Sequence, residues 1–297
     1  MRARIVVAYA TMCLIWGTTW LAIKIGLRAL PPVTGAGVRF VIAALFLWAL
    51  AGAIRAPRGT KASWRTILIL ALTLFGGNYT LTYFAEMGLA SGLVAVLFGT
   101  YPFFLFGLGA LLLGERAGPT AIAGAALALG GVAVISLVGD VHASWPYVVA
   151  TLGAAAISAV GSIALKRAAA TDPFRTLPPA MLIAGLVMAV VGTIFEHPSL
   201  DRALSPSSIG AVLYLAIFGS GIAFSLNQWL YKHLETWVVG LSTLIFPVIA
   251  VAAGAIGGGE AFGWRDLLGA ALVLAGVWLA LRTPVSRPAE LTPPDVP

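Results

Sequence analysis

The stretch GAALALGGV at residues 124–132 returns as GAALVLAGV at residues 269–277, identical at seven of nine positions and displaced by 145. The same displacement carries Pro102 onto Pro247 and Gly114-Glu115 onto Gly259-Glu260. Three separated segments that obey one gapless shift point to a duplicated chain. The copies are strongly apolar, and duplicated membrane halves commonly build a substrate site near the bilayer midplane.

Composition supports a membrane setting. Of 297 residues, 60% are hydrophobic and 10% charged, where a soluble domain carries about 25% charged residues. Such a chain lacks a polar surface for water. The net charge is +7, but the basic residues sit in short connections without a basic face or binding motif, so nucleic acid is not an expected partner. Cys13 is the single cysteine, and His142, His197 and His233 are isolated. No intrachain disulfide, metal site or cofactor is expected. The start Met1-Arg2-Ala3-Arg4 mimics a signal peptide, yet equally apolar runs follow, so it reads as a retained first span.

A spanning helix needs about 20 mostly apolar residues. Ten runs qualify: 5–28, 33–54, 65–86, 91–113, 119–138, 146–166, 177–195, 208–231, 237–257 and 265–282. The predicted fold class is therefore all-α integral membrane, with ten transmembrane helices as two inverted five-helix repeats. Alternation expected of barrel strands is absent. Lysine and arginine cluster in alternate connections, with 13 of 18 on one side (Arg55, Arg58, Lys61 and Arg65 among them). The positive-inside rule places both termini in the cytoplasm. Five spans per half is an odd number, so the second half inserts upside down. The predicted organisation is residues 1–140, residues 141–283, and a proline-rich disordered cytoplasmic tail over 284–297.

Polar and aromatic side chains within spans mark candidate cavity positions. Trp16 and Trp20 lie four apart in the first span and share a face. They read as a stacking wall, or more plainly as helix packing with one interfacial ring. In the third span Gly76-Gly77 loosens the helix, and Asn78 brings an amide into hydrocarbon, where it needs a partner. Tyr79 and Tyr83 again lie four apart. In the eighth span Asn227 and Tyr231 share a face, and the shift of 145 sets Asn227 against Thr82. Gln228 reads as either a pathway group or a solvated helix end. In the sixth span Ser158, Gly161 and Ser162 offer either a pocket lining or a close helix contact. Pro102 and Pro247 sit mid-span as hinges or static kinks, with Tyr101 beside the first. Glu86, Glu115 and Glu260 fall at helix ends, Glu86 being the marginal acid candidate. Lys24 and Lys166 are expected to snorkel to interfaces. Arg39 is expected to pair with a backbone carbonyl or with Glu86.

Ten spans in inverted halves, with WGTTWLAIK at 16–24, RFVIAALFL at 39–47 and the Pro-to-Gly-Glu stretches 102–115 and 247–260, resemble the drug/metabolite transporter superfamily, specifically its EamA-type exporters. The resemblance covers residues 5–282. It implies a bacterial inner-membrane exporter of small metabolites, amino acids foremost, working by alternating access through a central cavity lined by spans 1, 3, 4, 6, 8 and 9. No glutamate precedes Glu86, unlike the four-span multidrug branch with its first-span glutamate. Partners are then a small-molecule substrate and the lipid bilayer, with a monomer favoured.

On that expectation Trp16, Trp20, Tyr79, Tyr83 and Tyr101 pack the apolar part of an aromatic or other hydrophobic amino acid. Asn78, Ser158, Ser162, Asn227 and Tyr231 complete the site. The alternative cargo is a drug, nucleobase or sugar-like solute. A membrane enzyme requires convergent acids, a nucleophile–base pair or metal ligands, none of which the sequence offers, so the chain is not expected to be an enzyme.

Overall fold

Prolines and small residues set the helix limits. The computed structural model describes residues 2–27, 29–89, 91–137, 144–197, 204–257 and 263–282; the side chains at 20, 21, 24, 91, 92 and 254–257 also lie outside the description. The helices are α1 (Arg2–Gly26), α2 (Pro32–Ala53), α3 (Trp64–Glu86), α4 (Ser91–Phe98 then Tyr101–Leu113), α5 (Pro119–Ser136) and α6 (Trp145–Arg167). They continue as α7 (Pro173–Glu196), α8 (Pro206–Tyr231), α9 (Thr236–Gly240 then Ser242–Gly257) and α10 (Trp264–Leu281). Proline opens α2, α5 and α7 at the first helical turn, where its missing donor has no intrahelical partner to lose. Ser63, Asp172 and Ser205 cap α3, α7 and α8 through their side chains.

Among the described residues, nine helices are long and apolar enough to cross a membrane. The 25-residue α1 is not one of the nine, although it occupies the first expected span. The chain is an all-helical integral membrane protein, with no strand among the described residues. The predicted tail 284–297 and Glu260 lie outside those residues.

Glycine governs which helices meet. On α5 and α10, a Cβ built at Gly124 would lie 2.5 Å from Gly276 O, and one at Gly131 would lie 2.6 Å from Gly269 O. The contacts run in opposite directions along the two helices, which are therefore antiparallel. Each glycine removes the side chain that would hold the backbones apart. The α2–α7 pair repeats the device: a Cβ at Gly185 would meet Gly37 O at 2.9 Å, and one at Gly192 would meet Thr34 N at 2.5 Å. Glu196, at the end of α7, then supplies the cap that Pro31 cannot. Its carboxylate accepts from Val33 N (2.9 Å), Thr34 N (2.8 Å) and Thr34 Oγ1 (2.8 Å) at the start of α2. Free helix N–H groups and the helix dipole both favour an anion there.

Gly114 ends α4 in the left-handed region, at φ +68°. Its Cβ position is open space, so only the backbone resists a side chain. Gly114→Ala is expected to cost about 1–2 kcal/mol, and Gly114→Asn less. Thermal unfolding of the purified variants checks the order.

Two helices lose regularity at equivalent places. Residues Ala71–Gly77 of α3 and Leu215–Ile222 of α8 are π-helical, and the shift of 145 maps 71 onto 216 and 77 onto 222. Asn78 N–H reaches back five residues to Thr73 O, and Ala223 N–H to Phe218 O. π-turns commonly accompany functional sites because they redirect side chains and release carbonyls.

Pro102 lies mid-span as expected, within Leu93–Leu113, but not inside an unbroken helix. It stands in the first turn of Tyr101–Leu113, after an interruption at Gly99-Thr100. There it costs no helical hydrogen bond. Pro247 does lie inside a helix, Ser242–Gly257.

Candidate functional site

The interrupted and π-turned helices surround a half-open chamber of about 170 Å³. A water molecule needs about 10–15 Å³ by a comparable measure, so the space suits a small organic solute. Its walls come from α1, α2, α3, α4, α6, α8 and α9.

Much of the lining is aromatic. Trp16 stands edge-on to Phe224 (5.2 Å between ring centres) and to Phe246 (5.5 Å). Its indole donates to Gly219 O at 3.0 Å, so the ring is fixed by a carbonyl of the π-helical stretch. Tyr79 and Tyr83 present neighbouring rings 6.4 Å apart, and Tyr79 meets Phe40 edge-on at 5.0 Å. Phe98 stacks on Tyr101 at 5.9 Å. Edge-to-face and offset contacts of this kind are favoured by ring quadrupoles and hold the wall in shape.

Polar groups share the same lining. Asn78, Ser158, Ser162, Asn227 and Tyr231 all border the chamber. Tyr101 Oη and Ser162 Oγ share a hydrogen bond of 2.7 Å. Thr82 donates to Asn78 Oδ1 at 3.3 Å. Ser158 Oγ and Asn227 Oδ1 are buried without a hydrogen-bond partner among the described residues. A buried polar atom left unpaired costs roughly 1–3 kcal/mol, and two such atoms on one chamber mark places for a guest's polar groups.

The sequence-chosen residues thus converge: Trp16, Asn78, Tyr79, Tyr83, Tyr101, Ser158, Ser162, Asn227, Tyr231 and Pro247 all border the space. The Trp20 and Lys24 side chains lie outside the described residues, and Pro102 is buried away from the chamber. Gly161 instead serves packing: a Cβ there would lie 2.9 Å from Leu74 N of α3. The residues next to it on α6 diverge in role, serines to the chamber and glycine to the neighbouring helix.

Several assignments need correction. Lys166 is 4% exposed and does not snorkel. Its ammonium donates to Tyr231 O (2.7 Å) and Leu234 O (2.6 Å), and lies 3.9 Å from Glu115 Oε1. Glu115 is buried too, accepting from Thr236 N (2.8 Å) and Thr236 Oγ1 (2.6 Å) at the start of α9. Both residues end their helices, but the turn before α9 folds over those ends and removes water. Glu235 joins this layer through the Trp237 indole. Burial raises the Glu235 carboxyl above the usual carboxylate range, against the lowering effect of that indole bond. Gln228 is neither solvated nor in the chamber; it donates to Ala168 O (3.1 Å) and Thr171 O (3.2 Å). Tyr83, its counterpart under the shift, does face the chamber, so the two halves use this position differently.

Sequence reading missed Phe98 and Phe224 on the wall, while Thr19, Ser242 and Phe246 border it as well. Phenylalanines in an apolar chain carry no signal of their own. Arg39 also borders the chamber, and its carbonyl partner is Gly219 O rather than the Glu86 carboxylate.

An all-helical membrane bundle around a solute-sized chamber is the architecture of a membrane transporter, and the comparison with known families agrees. The chain belongs to the EamA-like transporter family, whose model matches residues 3–137 and again residues 145–282.

Among curated relatives, Protein PagO of Salmonella typhimurium is 29% identical over 94% of this chain and 93% of its own length. The probable amino-acid metabolite efflux pump of the same organism is 28% identical, covering 89% and 90%. The uncharacterized inner membrane transporter YedA of Escherichia coli K12 is 29% identical, covering 92% and 89%. A solved protein crystal structure superposes with a TM-score of 0.82 at 24% identity, over 94% of this chain and 97% of that one. That likeness speaks to the fold.

Proposed function

We propose that the protein exports small zwitterionic metabolites, foremost amino acids with aromatic or other hydrophobic side chains, across a bacterial inner membrane. The observation that carries this reading is a chamber lined by both aromatic rings and polar groups, two of whose buried atoms are unpaired among the described residues. An apolar side chain fits the rings, and the ammonium and carboxylate of a backbone fit the polar groups. The name of the Salmonella relative, a probable amino-acid metabolite efflux pump, agrees with it.

Transport then proceeds by alternating access between two inverted five-helix halves, residues 1–140 and 141–283, with both termini in the cytoplasm. Three observations support the inverted halves. The glycine contacts are reciprocal, Gly124 meeting Gly276 while their counterparts Gly269 and Gly131 meet each other. The π-helical stretches coincide under the shift. The family model matches each half separately. The interruptions at residues 99–100 and 241 and the proline inside Ser242–Gly257 are the places where halves can flex.

Cells expressing the protein and fed a phenylalanine dipeptide should release free phenylalanine faster than cells without it. Asn227→Leu removes an unpaired acceptor at similar volume. It is expected to slow that release about tenfold, the worth of one hydrogen bond to a charged group. Release that never exceeds the control, for any amino acid tested, would remove the substrate claim.

A further inference from the structure

Arg39 holds a buried guanidinium on the chamber wall, 2% exposed and two turns inside α2. Its partners are few and neutral. Nε donates to Ser220 Oγ at 2.7 Å, a firm bond. Nη2 makes only long contacts, 3.3 Å to Gly219 O and 3.4 Å to Tyr79 Oη. Nη1 is buried with no hydrogen-bond partner among the described residues. Among the described residues no carboxylate lies within ion-pair distance of it. The rings of Phe40 and Tyr79 lie 5.4 Å and 5.2 Å from Cζ, which steadies the cation without neutralising it.

A guanidinium taken out of water and left without an anion is costly, even after relaxation. A planar fork with one free and one loosely held nitrogen matches a carboxylate, which it can bind through two parallel hydrogen bonds. The location is also distinctive. Arg39, Tyr83 and Ile23 border both the main chamber and a second, smaller cavity of about 20 Å³ beside the α1–α2 connection. The cation therefore stands in the partition between the chamber and a second space.

We propose that Arg39 is the specificity-determining residue that recognises the carboxylate of the substrate, with Nη1 and Nη2 as the donors. This rests on the amino-acid reading above and refines it. The neutral groups Asn227 and Ser158 then serve the remaining polar atoms of the guest. Ser220 and Gly219 act as the fixed support that aims the guanidinium. A substrate without a carboxylate leaves the Arg39 charge unpaired and is discriminated against, whatever its ring.

The test is counterflow in proteoliposomes holding the full-length protein, with phenylalanine and phenylalaninamide as paired substrates. The wild type should favour the acid. Arg39→Gln should slow the acid by roughly tenfold to hundredfold, the range for losing hydrogen bonds to a charged group, while slowing the amide far less. Arg39→Lys should recover part of the acid flux. A purely structural Arg39 predicts equal losses for acid and amide, and that result overturns the proposal.

The wild type itself offers a variant-free check should Arg39→Gln fail to fold. 3-Phenylpropionate, a carboxylate without an amine, should inhibit phenylalanine counterflow more strongly than phenethylamine, an amine without a carboxylate. The reverse order overturns the proposal. Absence of any amino-acid counterflow in the wild type is a different failure, which sinks the amino-acid reading and the Arg39 assignment with it.

Discussion

Glu115→Ala is expected to lower the stability of the protein by about 3–5 kcal/mol, the cost of breaking a buried ion pair by removing one partner. Two losses combine. Thr236 N–H and Thr236 Oγ1 lose their shared acceptor at the start of α9. Lys166 keeps its two carbonyls but loses the only carboxylate within ion-pair distance among the described residues. The unfolding temperature should fall by about 10 °C for a chain of this size. The double variant Glu115→Leu/Lys166→Met should suffer less than Glu115→Ala, because replacing both charges leaves neither uncompensated. Scanning fluorimetry of the two proteins in detergent decides. Equal losses would show that the pair's charges do not matter to each other.

Gly276→Val carries the second large effect. A Cβ at this position would lie 2.5 Å from Gly124 O and 2.9 Å from Ala128 Cα. Both neighbours are backbone, which cannot rotate away as a flexible side chain could. The α5–α10 pair must separate, at a cost of about 3 kcal/mol by the usual penalty for overfilling a close contact. Gly131→Val, at the counterpart in the other half, should cost a similar amount, since its Cβ would lie 2.6 Å from Gly269 O. Gly130→Val is the control, because nothing lies within 4 Å of its Cβ. Comparable melting temperatures for all three variants would contradict the reciprocal glycine contact.

The sequence made the bundle legible because its determinants are local. An apolar run of spanning length identifies itself, and Gly124, Gly131, Gly269 and Gly276 repeat at an interval that no apolar drift produces. Much of the chamber was legible for a related reason. Asn78, Ser158, Asn227 and the tyrosines are costly to expose to lipid, so their presence inside spans already implied an interior.

What escaped depends on how chain ends and neighbours fold over a residue. Lys166 and Glu115 sit at helix termini, where water is the default surrounding, and only the turn into α9 buries them. Arg39 lies two turns inside α2 because Pro32 opens that helix, and its carbonyl partner on α8 is 180 positions distant in the chain. The π-helical stretches were half visible. Gly76-Gly77 suggested a loosened helix, whereas nothing about Gly219-Ser220-Gly221 announced that its carbonyl would anchor both Trp16 and Arg39.

Counterflow of radiolabelled phenylalanine in proteoliposomes, comparing wild type with Ser158→Trp, tests the central claim most directly. Ser158 is buried on the chamber wall, and an indole there fills the space while gel filtration and unfolding temperature report whether the bundle survives. Saturable counterflow by the wild type, abolished in a folded Ser158→Trp protein, is the predicted result. Undiminished flux through the filled chamber would contradict it.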